Sequence, residues 1–263
     1  MESPVTDIEI FDRFARDAAL AAGQAILSVY RQAIRVEHKT DGSPLTAADR
    51  SAHDTIHSLL SPSGLPVISE EGEVDGFTSE AYWLVDPLDG TKDFLAGNDE
   101  FTVNIALMRD NRPLCGALYA PALDELYLGR IGQGVTRIVR GHEESVSPSP
   151  RLAVPRMVTS RFHDGPASQR FADLNAITNR VPIGSALKFG RLAFGQAEVY
   201  PRFVGTCEWD TAAGQAILEA SGGRIISLES AQPLTYGKAK RLNPAFLAFR
   251  APYRFDDFRL EPP

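Results

Sequence analysis

Cysteine is scarce: Cys115 and Cys207 are the two in 263 residues. Two thiols cannot build a disulfide framework, and a reducing compartment such as the cytosol suits them. No apolar run approaches the roughly 20 residues that cross a bilayer, so no membrane span is expected. Met1 to Asp7 lacks a basic stretch followed by an apolar one, so no secretory leader is expected either. No lysine and arginine block forms a nucleic-acid footprint, and the formal net charge is −7. A small anionic substrate stays compatible with that charge, because a bound divalent cation inverts the local field. Repeats and low-complexity tracts are missing too. What is there is an ordinary globular composition, 43% apolar and 23% charged. The chain is long enough for one large domain or two closely packed halves.

Apolar spacing predicts a helix over Ile8 to Tyr30, carried by Phe11, Phe14, Ala18, Ala22, Ala25, Ile26 and Val29. A polar loop with Asp-Gly-Ser-Pro turn chemistry follows at Lys39 to Pro44. A second helix is expected from about Thr46 to Leu60, with Asp49 on its apolar stripe. Short strands are expected at Pro66 to Ser69 and Tyr82 to Val85. Antiparallel strands follow at Phe101 to Met108, Cys115 to Tyr119, Glu125 to Leu128 and Val135 to Val139. The polar stretch Gly141 to Pro150 divides the chain into 1–145 and 146–263. Beyond it, strand-like Met157 to Ser160 and Val199-Tyr200 alternate with helical Ala167 to Thr178 and Leu187 to Gly195. Thr211 to Ala220 reads as a helix stopped by Gly222-Gly223. Arg224 to Leu228 and Ala245 to Phe249 read as closing strands.

Three segments place acids at element ends: Glu70 and Glu71, then Asp86 and Asp89, then Asp210. Each has a bland reading. Asp210 suits the N-cap of the following helix, and Glu70 and Glu71 suit a solvated loop. Asp86 and Asp89 are harder to dismiss, because they close the apolar run Trp83-Leu84-Val85. Asp49 on an apolar stripe also needs a partner. Together the acids are oxygen ligands of the kind Mg²⁺ takes, and the Gly90-Thr91 amides beside them suit a phosphate.

Rival chemistries are weaker. A covalent aspartyl phosphatase of the haloacid-dehalogenase type has one residue between its two acids, whereas two separate Asp86 from Asp89. His53 and His57 stand four apart as in a zinc-protease helix, but Asp54 replaces the glutamate base and no third ligand follows. Cys207 has no evident paired histidine, so a small buried thiol is expected.

Asp86-Pro87-Leu88-Asp89-Gly90-Thr91 and Trp209-Asp210-Thr211-Ala212-Ala213-Gly214 together resemble the paired signature of the inositol monophosphatase superfamily, Mg²⁺-dependent and Li⁺-sensitive phosphatases. Ser69-Glu70-Glu71 and Thr46-Ala47-Ala48-Asp49 fall where that family has its other catalytic segments, so the resemblance covers nearly the whole chain. The finer match is to the bacterial 3′(2′),5′-bisphosphate nucleotidases of the CysQ type. It rests on Ser43 to Asp49, Asp89 to Phe94, Glu100 to Leu107, Tyr119-Ala120-Pro121 and Tyr200 to Phe203. One departure is Ala186, where that group commonly carries a second serine.

The resemblance implies a layered αβαβα sandwich of the inositol monophosphatase/fructose-1,6-bisphosphatase kind, an α+β half followed by an α/β half. Periodicity alone gives mixed α and β. It implies that Glu70, Asp86 and the Leu88 carbonyl hold one Mg²⁺, that Asp86, Asp89 and Asp210 hold a second, and that a weaker third ion sits near Glu70. Thr91 and Asp49 would form the proton-accepting dyad, with Glu70 assisting. Asp89, Gly90, Thr91, Ser185, Lys188, Arg202 and Asp210 would line the substrate. Arg202 suits a second phosphate, which its guanidinium grips with two N–H donors. Its bland alternative is a surface ion pair. The implied substrate is adenosine 3′,5′-bisphosphate, a by-product of sulfate assimilation. The implied protein is a cytoplasmic monomer or homodimer, with attachment at the inner membrane face left open. Two alternatives stay open: an inositol or sugar monophosphatase on the same fold, and a catalytically silent anion- or nucleotide-binding protein.

Overall fold

The computed structural model describes residues 4–32, 37–38, 44–72, 79–147 and 149–260. In chain order the helices are α1 (Pro4–Leu27), α2 (Ala47–Leu60), α3 (Thr91–Ala96), α4 (Pro166–Leu174), α5 (Leu187–Ala193) and α6 (Ala212–Ala220). The strands of the first half are β1 (Glu37–His38), β2 (Pro44–Leu45), β3 (Val67–Ser69), β4 (Ala81–Asp89), β5 (Thr102–Arg109), β6 (Arg112–Ala120), β7 (Glu125–Arg130), β8 (Gly134–Val139) and β9 (His142–Ser145). Those of the second half are β10 (Met157–Ser160), β11 (Arg180–Ile183), β12 (Val199–Arg202), β13 (Thr206–Cys207), β14 (Arg224–Ser227), β15 (Leu242–Asn243) and β16 (Phe246–Phe249).

The expected five layers are present. α1 and α2 cover one face of a seven-stranded sheet ordered β3-β4-β5-β6-β7-β8-β9. α5 and α6 fill the space between its other face and a five-stranded sheet ordered β11-β10-β12-β16-β14. α4 closes the far side, its Phe171 and Ala172 packing with Met157, Val199 and Leu247. Strand alternation assigns the faces. Val103, Ile105 and Leu107 of β5 bury against the α1 and α2 layer. Ala106 and Met108 bury toward α6, so Thr102 and Asn104 share that second face.

The buried stripe of α1 is Ala15, Ala18, Ala19, Ala22 and Ile26. Its apolar face is therefore spent on the sheet, and no helix among the described residues is long and apolar enough to cross a membrane. α2 begins at a capping box: the Thr46 hydroxyl accepts from the Ala48 N–H at 3.1 Å, and Asp49 accepts from the Thr46 N–H at 2.7 Å.

Several boundaries differ from those the sequence predicts. β4 does not stop at Val85 but runs through the acids to Asp89. β9 lies inside the stretch expected to be a boundary, because a fully exposed edge strand carries no apolar alternation. The expected split at 145/146 falls immediately after it. The central core draws on both sides of that split, packing Leu118 and Tyr127 with Phe189 and Ile217. The helix expected to reach Thr178 ends at Leu174, and β11 falls where no strand is expected. The turn expected at Lys39 to Pro44 lies outside the described residues up to Ser43.

α6 sits against the sheet closely enough to require glycine beneath it. A Cβ on Gly129 would come within 2.5 Å of the Ile217 Cα, and one on Gly116 within 2.6 Å of the Ala213 carbonyl oxygen. Backbone atoms cannot swing aside, so the whole helix would have to lift. Gly129→Ala is expected to lower unfolding stability by about 1–3 kcal/mol, as overpacking does. The check is the urea midpoint at unchanged slope.

Candidate active site

The site begins at a fault in a strand. Asp86 pairs with Asn104 and Asp89 with Thr102, so three steps on β4 oppose two on β5. This is a bulge, and Pro87, which lacks an N–H for the ladder, sits inside it. The bulge is tied from within: the Leu88 N–H donates to Asp86 Oδ1 at 3.1 Å. The Thr91 hydroxyl lies 3.5 Å from the Leu88 carbonyl oxygen. Gly90 turns the chain into α3 with φ +87°, a conformation side chains resist.

Three elements then converge. Glu70 leaves the end of β3, Asp86 lies in the bulge, and Asp210 precedes α6; one carboxylate oxygen of each lies within 4.8 Å of the others. Asp210 does not cap α6. Its Oδ2 accepts the Cys207 N–H at 2.8 Å instead, which turns the side chain back toward the acids. Asp89 stands beside the trio, accepting from Asn104 Nδ2 at 3.2 Å and from the Ala186 N–H at 2.5 Å. Burial pushes the Asp89 carboxyl up to about 6, against the pull of Lys188, Asn104 and the Ala186 amide. Burial, then the charges of Asp89 and Glu70, raises Asp210 well above the carboxylate range. An all-oxygen donor set with more negative charge than its surroundings balance fits a hard divalent cation.

The acids form one end of a cavity of about 400 Å³. Its other lining changes character. Lys92, Lys188 and Arg202 supply positive charge and His163 an imidazole, while Phe162, Val204 and Leu242 supply exposed apolar surface at 44%, 55% and 50%. Lys188 is buried, donates to the Ile183 carbonyl at 3.0 Å, and lies 5.3 Å from the Tyr200 ring centroid. Burial lowers its ammonium to about 8, although Asp89 opposes this. Arg202 donates from Nε to the Val204 carbonyl at 2.9 Å and faces the cavity.

The structure therefore gathers Glu70, Asp86, Asp89, Thr91, Asp210, Ser185, Lys188 and Arg202 at one place. Asp49 is buried and accepts the Thr46 hydroxyl at 2.6 Å as well as its amide. This cap explains an acid on an apolar stripe. Glu71 stays outside the acid trio. The Ala186 methyl is buried, and the backbone N–H of that residue makes the polar contact. Cys207 is half-buried in the cavity wall rather than buried, because β13 runs along the rim. His53 bonds Ser69 Oγ at 2.9 Å and His57 is exposed; their ring centroids are 6.2 Å apart, and neither joins a metal-ligand cluster among the described residues.

Two supporting residues escape sequence reading. Asn104 is a polar side chain inside the apolar run Val103 to Ala106, and that misfit was its signal. Glu208 is fully buried and accepts from the Gly237 and Lys238 N–H groups and from Arg241 at 3.1, 3.0 and 3.1 Å. It fastens the segment carrying Asp210 to the loop before β15. Nothing in its neighbours in sequence announces that partner loop.

Comparison with known proteins agrees with this geometry. Residues 7–248 match the model of the inositol monophosphatase family. The chain is 38% identical over 241 residues to the 3′(2′),5′-bisphosphate nucleotidase CysQ of Shigella flexneri, covering 86% of this chain and 94% of that protein. It is 30% identical over 245 residues to the nucleotidase CysQ of Haemophilus influenzae, covering 87% and 88%. The crystal structure of CysQ from Bacteroides thetaiotaomicron superposes with a TM-score of 0.79 at 38% identity, over 92% of this chain and 97% of that one. The extragenic suppressor protein SuhB from Bartonella henselae superposes at 0.74 and 25% identity, over 91% and 93%.

The raised acids make a stability prediction. A carboxyl held above its unfolded value binds its proton longer when folded. Its contribution is therefore lost as pH rises through the unfolded value near 4 and on past about 6 for Asp89. At pH 7.5 without divalent metal, these charges oppose folding. Asp210→Asn is expected to raise the melting temperature of the metal-free protein and to shrink the further rise that Mg²⁺ gives the wild type. A lower melting temperature without metal would mean that the protein already satisfies this carboxylate.

Proposed function

From the chain's membership of the inositol monophosphatase family, we propose that it is a Mg²⁺-dependent phosphomonoesterase that removes the 3′-phosphate of adenosine 3′,5′-bisphosphate. The products are AMP and phosphate. The observation that carries this reading is one cavity joining the acid trio to a wall that is cationic and apolar. A sugar alcohol phosphate has no use for an apolar wall, whereas a nucleoside offers a flat π-face to it.

Glu70, Asp86 and the Leu88 carbonyl would hold one Mg²⁺, and Asp86, Asp89 and Asp210 a second. The ions supply charge that acidifies a water and offsets the developing charge on the phosphate oxygens. The chain's own groups do the rest. The N–H groups of Gly90 and Thr91, at the start of α3, orient the 3′-phosphate. The Thr91 hydroxyl takes the proton of the attacking water and passes it to Asp49, whose place under the α2 cap keeps it fixed. Arg202 grips the phosphate that is not cleaved. Phe162, Val204 and Leu242 receive the base and exclude water from one of its faces.

The test is phosphate release from adenosine 3′,5′-bisphosphate and from inositol 1-phosphate, side by side, with Mg²⁺ and with added Li⁺. Strong preference for the nucleotide, blocked by Li⁺, is the expected result. Preference for the inositol ester would keep the metal chemistry and discard the substrate. No release from either by folded, Mg²⁺-binding protein would leave a silent binder. Arg202→Glu is expected to reduce kcat/KM on the bisphosphate at least tenfold more than on a monophosphate, and equal losses would remove Arg202 from this role. Phe162→Ala with Leu242→Ala is expected to raise the nucleotide KM about tenfold, the scale of ~1–3 kcal/mol per stacked base.

A further inference from the structure

Asn243 of β15 stands opposite Thr206 of β13 and is buried at 5% exposure. Its Nδ2 donates to the Cys207 carbonyl at 2.8 Å and to Thr211 Oγ1 at 2.8 Å, with Thr206 Oγ1 at 3.2 Å. A carbonyl can only accept, so the nitrogen end of the amide is the one turned toward the turn. Its Oδ1 has no hydrogen-bond partner among the described residues. The side chain therefore serves as a donor alone. Its two shortest bonds go to Cys207 and Thr211, one on each side of Asp210.

Those two residues decide where the Asp210 carboxylate points. The Cys207 N–H donates to Asp210 Oδ2 at 2.8 Å, and the Cys207 carbonyl also receives the Asp210 N–H at 3.3 Å. Thr211 stands at the N-cap of α6, where a threonine hydroxyl commonly accepts from the helix, yet it makes no such bond. It accepts from Asn243 instead. Its own hydrogen is shared between the Glu208 carbonyl and the Tyr236 hydroxyl, both at 3.2 Å, because the Tyr236 hydrogen goes to Gln215 Oε1 at 2.7 Å. Both natural caps of α6, Asp210 and Thr211, are thus turned away from the helix end. Glu208 anchors this segment to the following loop, whereas Asn243 acts inside the turn. Without its amide, the Thr211 hydroxyl is free to rotate onto α6, and no donor spans the turn from Cys207 to Thr211.

We propose that Asn243 is a positioning residue for the metal ligand Asp210. By bridging Cys207 and Thr211 it holds that carboxylate toward Glu70 and Asp86, and so sets how tightly the acids bind Mg²⁺. This rests on the metal-dependent phosphatase reading above and adds to it a residue that lies outside the cavity lining. Partners of metal ligands typically change metal affinity about 10–100-fold when removed. A residue of purely structural value lowers activity at every Mg²⁺ concentration. A positioning residue raises the Mg²⁺ requirement, and more Mg²⁺ overcomes its loss.

The experiment compares Asn243→Leu, which keeps the branched shape without the amide, with Thr211→Val, which removes the acceptor. Ile26→Val, in the buried stripe of α1, controls for general destabilisation. The first readout is Mg²⁺ affinity without substrate, from the rise in melting temperature along a Mg²⁺ titration. Affinity is expected to fall about tenfold in Asn243→Leu and in Thr211→Val, by no more in the double variant, and not at all in Ile26→Val. The second readout is the Mg²⁺ concentration for half-maximal phosphate release from adenosine 3′,5′-bisphosphate. It is expected to rise about tenfold in Asn243→Leu, with the rate at saturating Mg²⁺ recovering to within about threefold of the wild type. Unchanged Mg²⁺ affinity in Asn243→Leu overturns the proposal. So does a lower rate at every Mg²⁺ concentration with an unchanged requirement. If Asn243→Leu does not fold, Thr211→Val decides by the same readouts. A wild type that binds no Mg²⁺ overturns the metal reading and this proposal with it. A wild type that binds Mg²⁺ and hydrolyses no ester removes the phosphatase reading alone, and the first readout still decides the role of Asn243.

Discussion

Three carboxylates from three elements meet within 4.8 Å, and like charges do not gather without being forced. The force comes from the fold. Glu70 is fixed because its N–H donates to the Val85 carbonyl at 3.1 Å, extending the pairing of β3 with β4. Asp86 is fixed by the bulge, and Asp210 by the turn that leads into α6. Each acid could relax alone only by breaking backbone hydrogen bonds or by moving a packed helix. The repulsion is thus held in place by the cooperative stability of two sheets and the helix layer between them. A divalent cation would offset that repulsion, as a proton does where burial and like charge raise the affinities of Asp89 and Asp210.

The two halves of the chain meet over this charge. Asp89 belongs to the first half, yet the Ala186 N–H of the second donates to it. Glu100 likewise receives the Gly184 N–H at 2.7 Å. The loop before α5 is therefore docked on first-half carboxylates, which is how Lys188 and Ser185 reach the cavity at all. Lys188 on α5 and Arg202 on β12 bring second-half cations to a cavity whose acids Glu70, Asp86 and Asp89 come from the first half, with Asp210 crossing over to join them. Acids at one end and cations at the other give the cavity its polarity, and a phosphate ester with charge at both ends suits that division.

Much of this was legible in the sequence. The long helix, the antiparallel meander and the acid-bearing strand follow from spacing, because each has one face in a core. The acids stood out because they ended apolar runs. What escaped has the opposite character. β9 and β11 are too exposed or too short to imprint a period. Asp49's cap is written locally in Thr46-x-x-Asp49, a capping box that its place on an apolar face obscures. His163, Lys92 and Glu208 are ordinary polar residues in sequence, and only the crossing of β10, α3 and the loop before β15 gives them company. Long-range neighbours of this kind have no local signature.

The glycines at 116 and 129 add one more relation. Asp210 stands at the head of α6, and the height of that helix above the sheet is set by two places where side chains are missing. The reach of a carboxylate in the cavity is thus gauged from below, by backbone touching backbone. A shim one methyl thick under the helix would be enough to put the third acid out of step with the other two, with every residue in the cavity unchanged. Drift in such a protein can therefore begin at positions no inspection of its cavity would flag.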